Sequence, residues 1–522
     1  MLRVVRIVMV GAVMSGGFAT TTIAQTAPVE TPETPLSVID WLGTQNTTAP
    51  GRIKPLARPT PNEPAVAKSG TAPSVTVTPL GEGSPREIGL VPAAVTGLPA
   101  NIWAGSDAER LIAKIDALPD LHLPAAQSLF YTVLLAEAQA PRGGVAAGDA
   151  LALARAQKLM ALGALDPALS LIEQAGVATS PQHFDLWMQI SLLSGTEDRA
   201  CATLTSSPHL TRDYGTRIFC AARAGKWDNA ALTFGSAQAL GLMSDEKLDL
   251  MDRFLNPDLY EGEPHLPSPR EMDPLSFRLF ETIGEPMPTR NLPRAYAVAD
   301  LRDVAGWKSQ LEAAERLTRA GALPENRLLG LYTDRKPAAS GGIWDRVEAF
   351  RRFETALSTG SSEAVRKTLP AVWSAMQDAE LEVTFAALFG ADLSKIELTG
   401  RAAEIALEVT LLSPTYEAGA VQSTQKSLLT SIAMGDAPTD KPESAMETAV
   451  SEAFTDAEPR ADLVASAQQN RLGESILVLL YLLHDGANGD ANALRDALAT
   501  LRALGLEDTA RRAALQTLLL VR

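Results

Sequence analysis

From Ser106 onward, apolar residues return every three to four positions through most of the chain, and that period belongs to amphipathic helices. Ser106 reads as an N-cap, after which Leu111, Ile112, Ile115 and Leu118 fall on one helical face. The apolar set is 46% of the chain, dominated by Ala and Leu, and only 5% is aromatic. Small side chains let helices pack closely, whereas a β-sandwich needs more Val, Ile, Thr and Tyr. The expectation is an all-α fold.

The pattern predicts helices over 107–118, 124–140, 148–162, 166–175, 183–194, 198–206, 212–224, 227–240 and 244–255, joined by short Gly or Pro links. Short links make successive helices antiparallel neighbours, and a row of such pairs is an α-solenoid, placed here at 101–255. A Pro-rich connecting loop follows at 256–293, with one short helix near 274–283. Within it, Asp258, Tyr260, Glu261 and Glu263 form a candidate partner-binding surface, because long structured loops on a helical array often carry function; a plain connector between subdomains fits equally. A middle helical region spans 294–434. An acidic mobile insertion is expected at 435–461, with a helix near 444–454. A C-terminal helical cap occupies 462–522, with helices at 462–484, 490–504 and 507–521. Its middle helix carries a Leu494, Leu498, Leu501, Leu504 stripe that stops at Gly505.

Between Gly148 and Leu242 the segments ALARAQKLMALGALDPALSLIEQAG and RIFCAARAGKWDNAALTFGSAQALGLM share a layout. Each puts small residues in a first helix, turns at Gly163 or Gly225, sets Asp166 or Trp227-Asp228 after the turn, and runs a second Ala/Leu helix. This resembles degenerate tetratricopeptide-type helix pairs, without the full repeat signature. The resemblance implies a solenoid architecture and little about a ligand. More broadly, the chain is similar to Ala-rich exported proteins of α-proteobacteria. Trp187, Trp227, Trp307, Trp344 and Trp373 are spread one per helix, as packing residues, and Trp103 is placed to pin the N-terminal tether.

The N-terminus has the layout of a secretory signal peptide: Arg3 and Arg6, an apolar run from Ile7 to Val13, then small residues to Ala24. Residues 1–24 are therefore read as a cleaved signal and the protein as periplasmic. The Pro/Thr/Ala-rich stretch 25–100 reads as a disordered tether. Within it Leu36, Ile39, Trp41 and Leu42 make one apolar side of a short helix, a candidate partner-binding motif or a segment that folds back on its own domain. Val75 to Thr78 has the pattern of a short strand. No later stretch is apolar for long enough to insert in a membrane. The formal charge is −16, and loss of Arg3 and Arg6 makes it more negative; such a surface repels nucleic acid. Cys201 and Cys220, on consecutive helices, suit a disulfide in an oxidising compartment. The five histidines are far apart and none lies at ligand spacing from a cysteine, so no metal and no cofactor is expected.

The motifs that cradle phosphate, bind a dinucleotide, hold a peptidase zinc or raise a nucleophilic serine are absent from the chain. The reading that follows is a non-catalytic periplasmic scaffold binding a protein or peptide partner of the cell envelope, in envelope or motility assembly. The alternative is a cell-wall glycan-acting enzyme on an all-α framework, with Asp258, Glu261 and Glu263 as its carboxylates. GLMSDEK at 241–247 shares three letters with a run found in lytic transglycosylases and lacks the rest.

Overall fold

A computed structural model describes residues 87–302, 304–423 and 427–520, all within one of the chain's two units, Thr78–Arg522. These residues are helical, and among them the extended backbone is limited to isolated bridges. Residues 1–24, the apolar motif at 36–42 and the strand expected near Val75 lie outside the described residues.

The first helices are α1 (Ala93–Thr96), α2 (Ala108–Ala117), α3 (Pro124–Leu135), α4 (Gly144–Ala161), α5 (Leu165–Ala175), α6 (Pro181–Ser194), α7 (Asp198–Ser206), α8 (Tyr214–Arg223), α9 (Trp227–Ala239) and α10 (Asp245–Leu255). Their starts follow local chemistry. Asp213 accepts hydrogen bonds from Gly215 N and Thr216 N, and Ser180 accepts from His183 N, each pairing a backbone donor that the first turn leaves without a partner. The α2 cap is Asp107, one residue after the expected Ser106, because the Asp107 carboxylate accepts from Arg110 N. Gly163 and Gly225 make the anticipated turns with φ of 86° and 72°, a conformation that costs glycine little. From α4 to α10 successive helices pack on one another.

The expected tether does not run to residue 100. Ile88 and Leu98 are buried, and Leu90 N and Val91 N donate to Leu135 O. This docking also shortens the helix expected over 124–140. After Leu135 the backbone turns away to form bridges from Ala136 and Ala138 to Val91 and Ile88. Arg155 holds the junction. Its side chain is 2% exposed and donates from Nε to Leu134 O (2.7 Å), from one terminal nitrogen to Ile88 O (2.9 Å) and from the other to Ala136 O (2.8 Å). The carbonyls at the end of α3 lack intrahelical donors and carry the negative end of the helix dipole, so a guanidinium fits there.

The Pro-rich segment contains α11 (Pro274–Thr282), capped by Asp273 and packed on α6 and α10. Then come α12 (Ala297–Asp300), α13 (Trp307–Arg319), α14 (Glu325–Asp334), α15 (Ile343–Ser358), α16 (Ser362–Gln377), α17 (Glu382–Leu393) and α18 (Arg401–Leu412). These surround a second core rich in Phe350, Phe353, Phe385 and Phe389. A buried fork closes it: Arg346 donates to both oxygens of Glu315, at 2.8 and 2.9 Å, and the Tyr332 hydroxyl donates to the same carboxylate at 2.6 Å.

The last helices are α19 (Tyr416–Gln422), α20 (Leu428–Met434), α21 (Ala445–Thr455), α22 (Ala461–Ser466), α23 (Leu472–Ala487), α24 (Ala491–Ala503) and α25 (Glu507–Leu519). The stretch expected as an acidic mobile insertion contributes α21, which buries Ala449, Val450, Ala453 and Phe454 against α24. The C-terminal helices do more than cap the end of an array: α23 packs on α2 and α3, and α25 on α3. One core is thus shared by residues from both ends of the described chain. The helix expected over 462–484 breaks before Gly473, with Asn470 at φ 59°. There Gly105 N donates to Asn470 O, Gly473 N donates to Ile102 O, and the buried Trp103 ring lies against Gly473. Trp103 therefore pins the N-terminal entrance onto the C-terminal helices.

Candidate functional site

In the 256–293 loop, Asp258, Glu261 and Glu263 are exposed, on and after a 3-10 turn at Pro257–Tyr260. Tyr260 folds back: its hydroxyl donates to Asp252 at 2.5 Å, and the Arg253 guanidinium stacks 5.2 Å from its ring centroid. The following stretch is tied down by Glu285, which accepts from Leu266 N at 2.9 Å and pairs with Arg253 at 3.3 Å. All three carboxylates face solvent, whereas glycoside hydrolysis sets its two acids on either side of a cleft. Cys201 and Cys220 come together as a pair, with Cα atoms 4.8 Å apart, from α7 and α8. Among the described residues, no three His, Cys, Asp or Glu side chains are grouped to hold a metal ion.

Two surfaces not anticipated as sites stand out. The first is α9. Trp227, expected as a packing residue, is 51% exposed, and Leu232 and Leu240 are 72% and 70% exposed. Ala231, Gly235 and Ala239, spaced four apart and so on one face, are exposed as well. The opposite face buries Ala230 and Ala237. A helix covered on one side normally turns charge to water on the other; α9 turns large apolar groups there, with Asp228 as its one charged residue beside the polar Asn229, Ser236 and Gln238.

The second is a cleft of about 410 Å³ where the turn after α2, helix α3, the end of α4 and the last turn of α13 converge. Three arginines line it. Arg294 is held by a two-point fork to Asp120, at 2.8 and 3.3 Å. Arg316 donates to Thr289 O (3.1 Å) and Leu292 O (2.6 Å), and Arg319, which is exposed, donates to Ala379 O (3.1 Å). Burial, and then the positive charges of Arg294 and Arg319, lower the proton affinity of Arg316. Lys158 lies alongside, donating to Leu118 O at 2.7 Å; burial lowers its pKa as well, and Arg294 pushes the same way against Asp120 and Asp116. Tyr131 donates to Ala320 O at 3.1 Å, and Gln127 donates to Leu121 O and Arg319 O, so α3 and the end of α13 are stitched across the cleft floor. Glu380 also lines the cleft, and its φ is 56°. It occupies the position after α16 where a helix usually ends on glycine, and a side chain held in that conformation is strain of the kind found at functional positions.

No family model, curated protein or solved structure matches the chain.

Burial keeps the Tyr131 phenol protonated well above its ordinary range, donating to Ala320 O, and the cleft sets His122, Asp120 and Glu380 beside its three arginines. The site is not legible in the sequence because Arg294 lies on a different element from Arg316 and Arg319; the one local signal is that last pair in a single helical turn.

Proposed function

We propose that the chain is an exported, non-catalytic helical scaffold of the cell envelope that binds a protein or peptide partner. The observation that carries the reading is the group of exposed apolar residues on α9 and its C-cap, Trp227, Leu232 and Leu240, beside small residues that share their face with Asp228 and Gln238. A helix with small residues at the centre and large apolar groups beside them suits the apolar side of a partner helix laid along it. The successive packing of α4 through α10 supports a short solenoid of tetratricopeptide-like pairs as the frame that presents this face. Export is supported by the signal-like layout of residues 1–24 and by the Cys201–Cys220 pair, which persists in an oxidising compartment. Among the described residues no helix is long and apolar enough to cross a membrane.

The test is photocrosslinking in the periplasm from a reactive residue placed at Leu232, beside a control placed at the exposed Glu363. A partner captured from position 232 alone, and lost when Leu240→Asp is added, supports the reading. Identical capture from both positions, or capture indifferent to Leu240→Asp, sinks it.

A further inference from the structure

We infer that the arginine cleft is a binding site for a single carboxylate group, separate from the α9 face. Its charge is the first argument. Arg294, Arg316 and Arg319 line it against Asp120 and Glu380, leaving one positive charge in excess. That surplus is found on a chain whose formal charge is −16, so the cations are concentrated here against the overall field. The second argument is how the guanidiniums are held. Arg316 and Arg319 are fixed by backbone carbonyls, which orient a guanidinium without neutralising it. Arg294 alone has a carboxylate fork. Cations that repel one another, half-buried at Arg294 and Arg316, cost stability, and an anion placed among them relieves that cost.

The size and sign of the surplus choose the anion. A carboxylate brings one negative charge and a planar pair of oxygens that matches a guanidinium fork, so the cleft becomes neutral when it is filled. A phosphate dianion overshoots that balance. The cavity, about 410 Å³, is at the small end of the range for ligand pockets, enough for the terminal residues of a peptide or for a small organic acid. Both sources present the same chemistry to Arg316 and Arg319.

The experiment is calorimetric titration of the full chain with four probes: N-acetyl-Ala-Ala with a free C-terminus, its C-terminal amide, propionate and inorganic phosphate. Arg319→Gln is the variant, since Arg319 is exposed and makes one backbone hydrogen bond, and its melting temperature checks folding. We expect the free peptide acid to bind, the amide to bind at least about tenfold more weakly, and Arg319→Gln to lose about tenfold with melting unchanged, the scale of one charged hydrogen bond. Propionate as tight as the peptide assigns the site to free acids; weaker propionate assigns it to chain ends. Carboxylates that do not bind, phosphate that binds more tightly than either carboxylate, or an Arg319→Gln protein that folds and binds unchanged would each overturn the assignment. None of these results depends on α9, so the scaffold reading stands or falls separately.

Discussion

Replacing Arg155 by Met keeps the volume of the side chain and removes its three hydrogen bonds. The carbonyls of Leu134, Ile88 and Ala136 then lose the donor that holds them at the end of α3. A buried acceptor left without a partner costs about 1–3 kcal/mol, so three cost about 6. The change also removes a buried charge: burial pushes the Arg155 pKa from 12.5 down to about 10, and at about 1.4 kcal/mol per unit the relief is about 3. The net expectation is a loss of about 3 kcal/mol, a hundredfold or more in the folding equilibrium. Urea unfolding followed by far-ultraviolet circular dichroism measures it. Amide hydrogen exchange locates it: Ile88 and Leu90, whose N–H groups donate to Ala138 and Leu135, should lose protection, while Phe350 and Phe353 in the second core keep theirs. A stability loss under about 1 kcal/mol would show that water or a local shift satisfies these carbonyls, and the clamp argument would be wrong.

Three other outcomes follow from the same structure. Replacing both Cys201 and Cys220 by serine should cost about 3 kcal/mol for a loop with a sequence separation of 19, read as a shifted denaturation midpoint under non-reducing conditions. Gly473→Ala should destabilise by about 2 kcal/mol although Ala favours helix, because its Cβ would meet the buried Trp103 ring at 2.2 Å; a stabilised variant would mean that the indole moves freely. Glu281 is pushed up by burial but held below the ordinary carboxylate range by hydrogen bonds from Arg302 and Arg278. The unfolded chain therefore takes up its proton first as pH falls. The stability Glu281 contributes is whole above the ordinary range and drains as pH drops through the depressed value, and Glu281→Gln should flatten that part of an acid-unfolding curve.

Much of the secondary structure was legible because its causes are local. Asp213, Asp273 and Ser180 cap the residues next to them, and Gly163, Gly225 and Gly505 end helices by their own conformational freedom. Boundaries failed where a distant segment intervened. The end of α3 is set by Ile88 and Arg155, which capture it from a distance, and the break before Gly473 by Trp103, so neither shows in the local sequence. Trp227 packs against Phe254 yet stays half exposed, because its sequence position cannot say how much of α9 another helix will cover.

The sequence by itself determined the all-helical class, most helix starts and the pairing of Cys201 with Cys220, since these depend on residues a few positions apart or on two residues with no rival partners. Tertiary structure alone decided that the two ends of the described chain share a core. It also decided that Arg294, Arg316 and Arg319 meet Asp120 and Glu380 in one cleft. Helical periodicity says which face of a helix is apolar and nothing about which other helix will meet it, so charges carried on separate elements become a site only when the chain has closed.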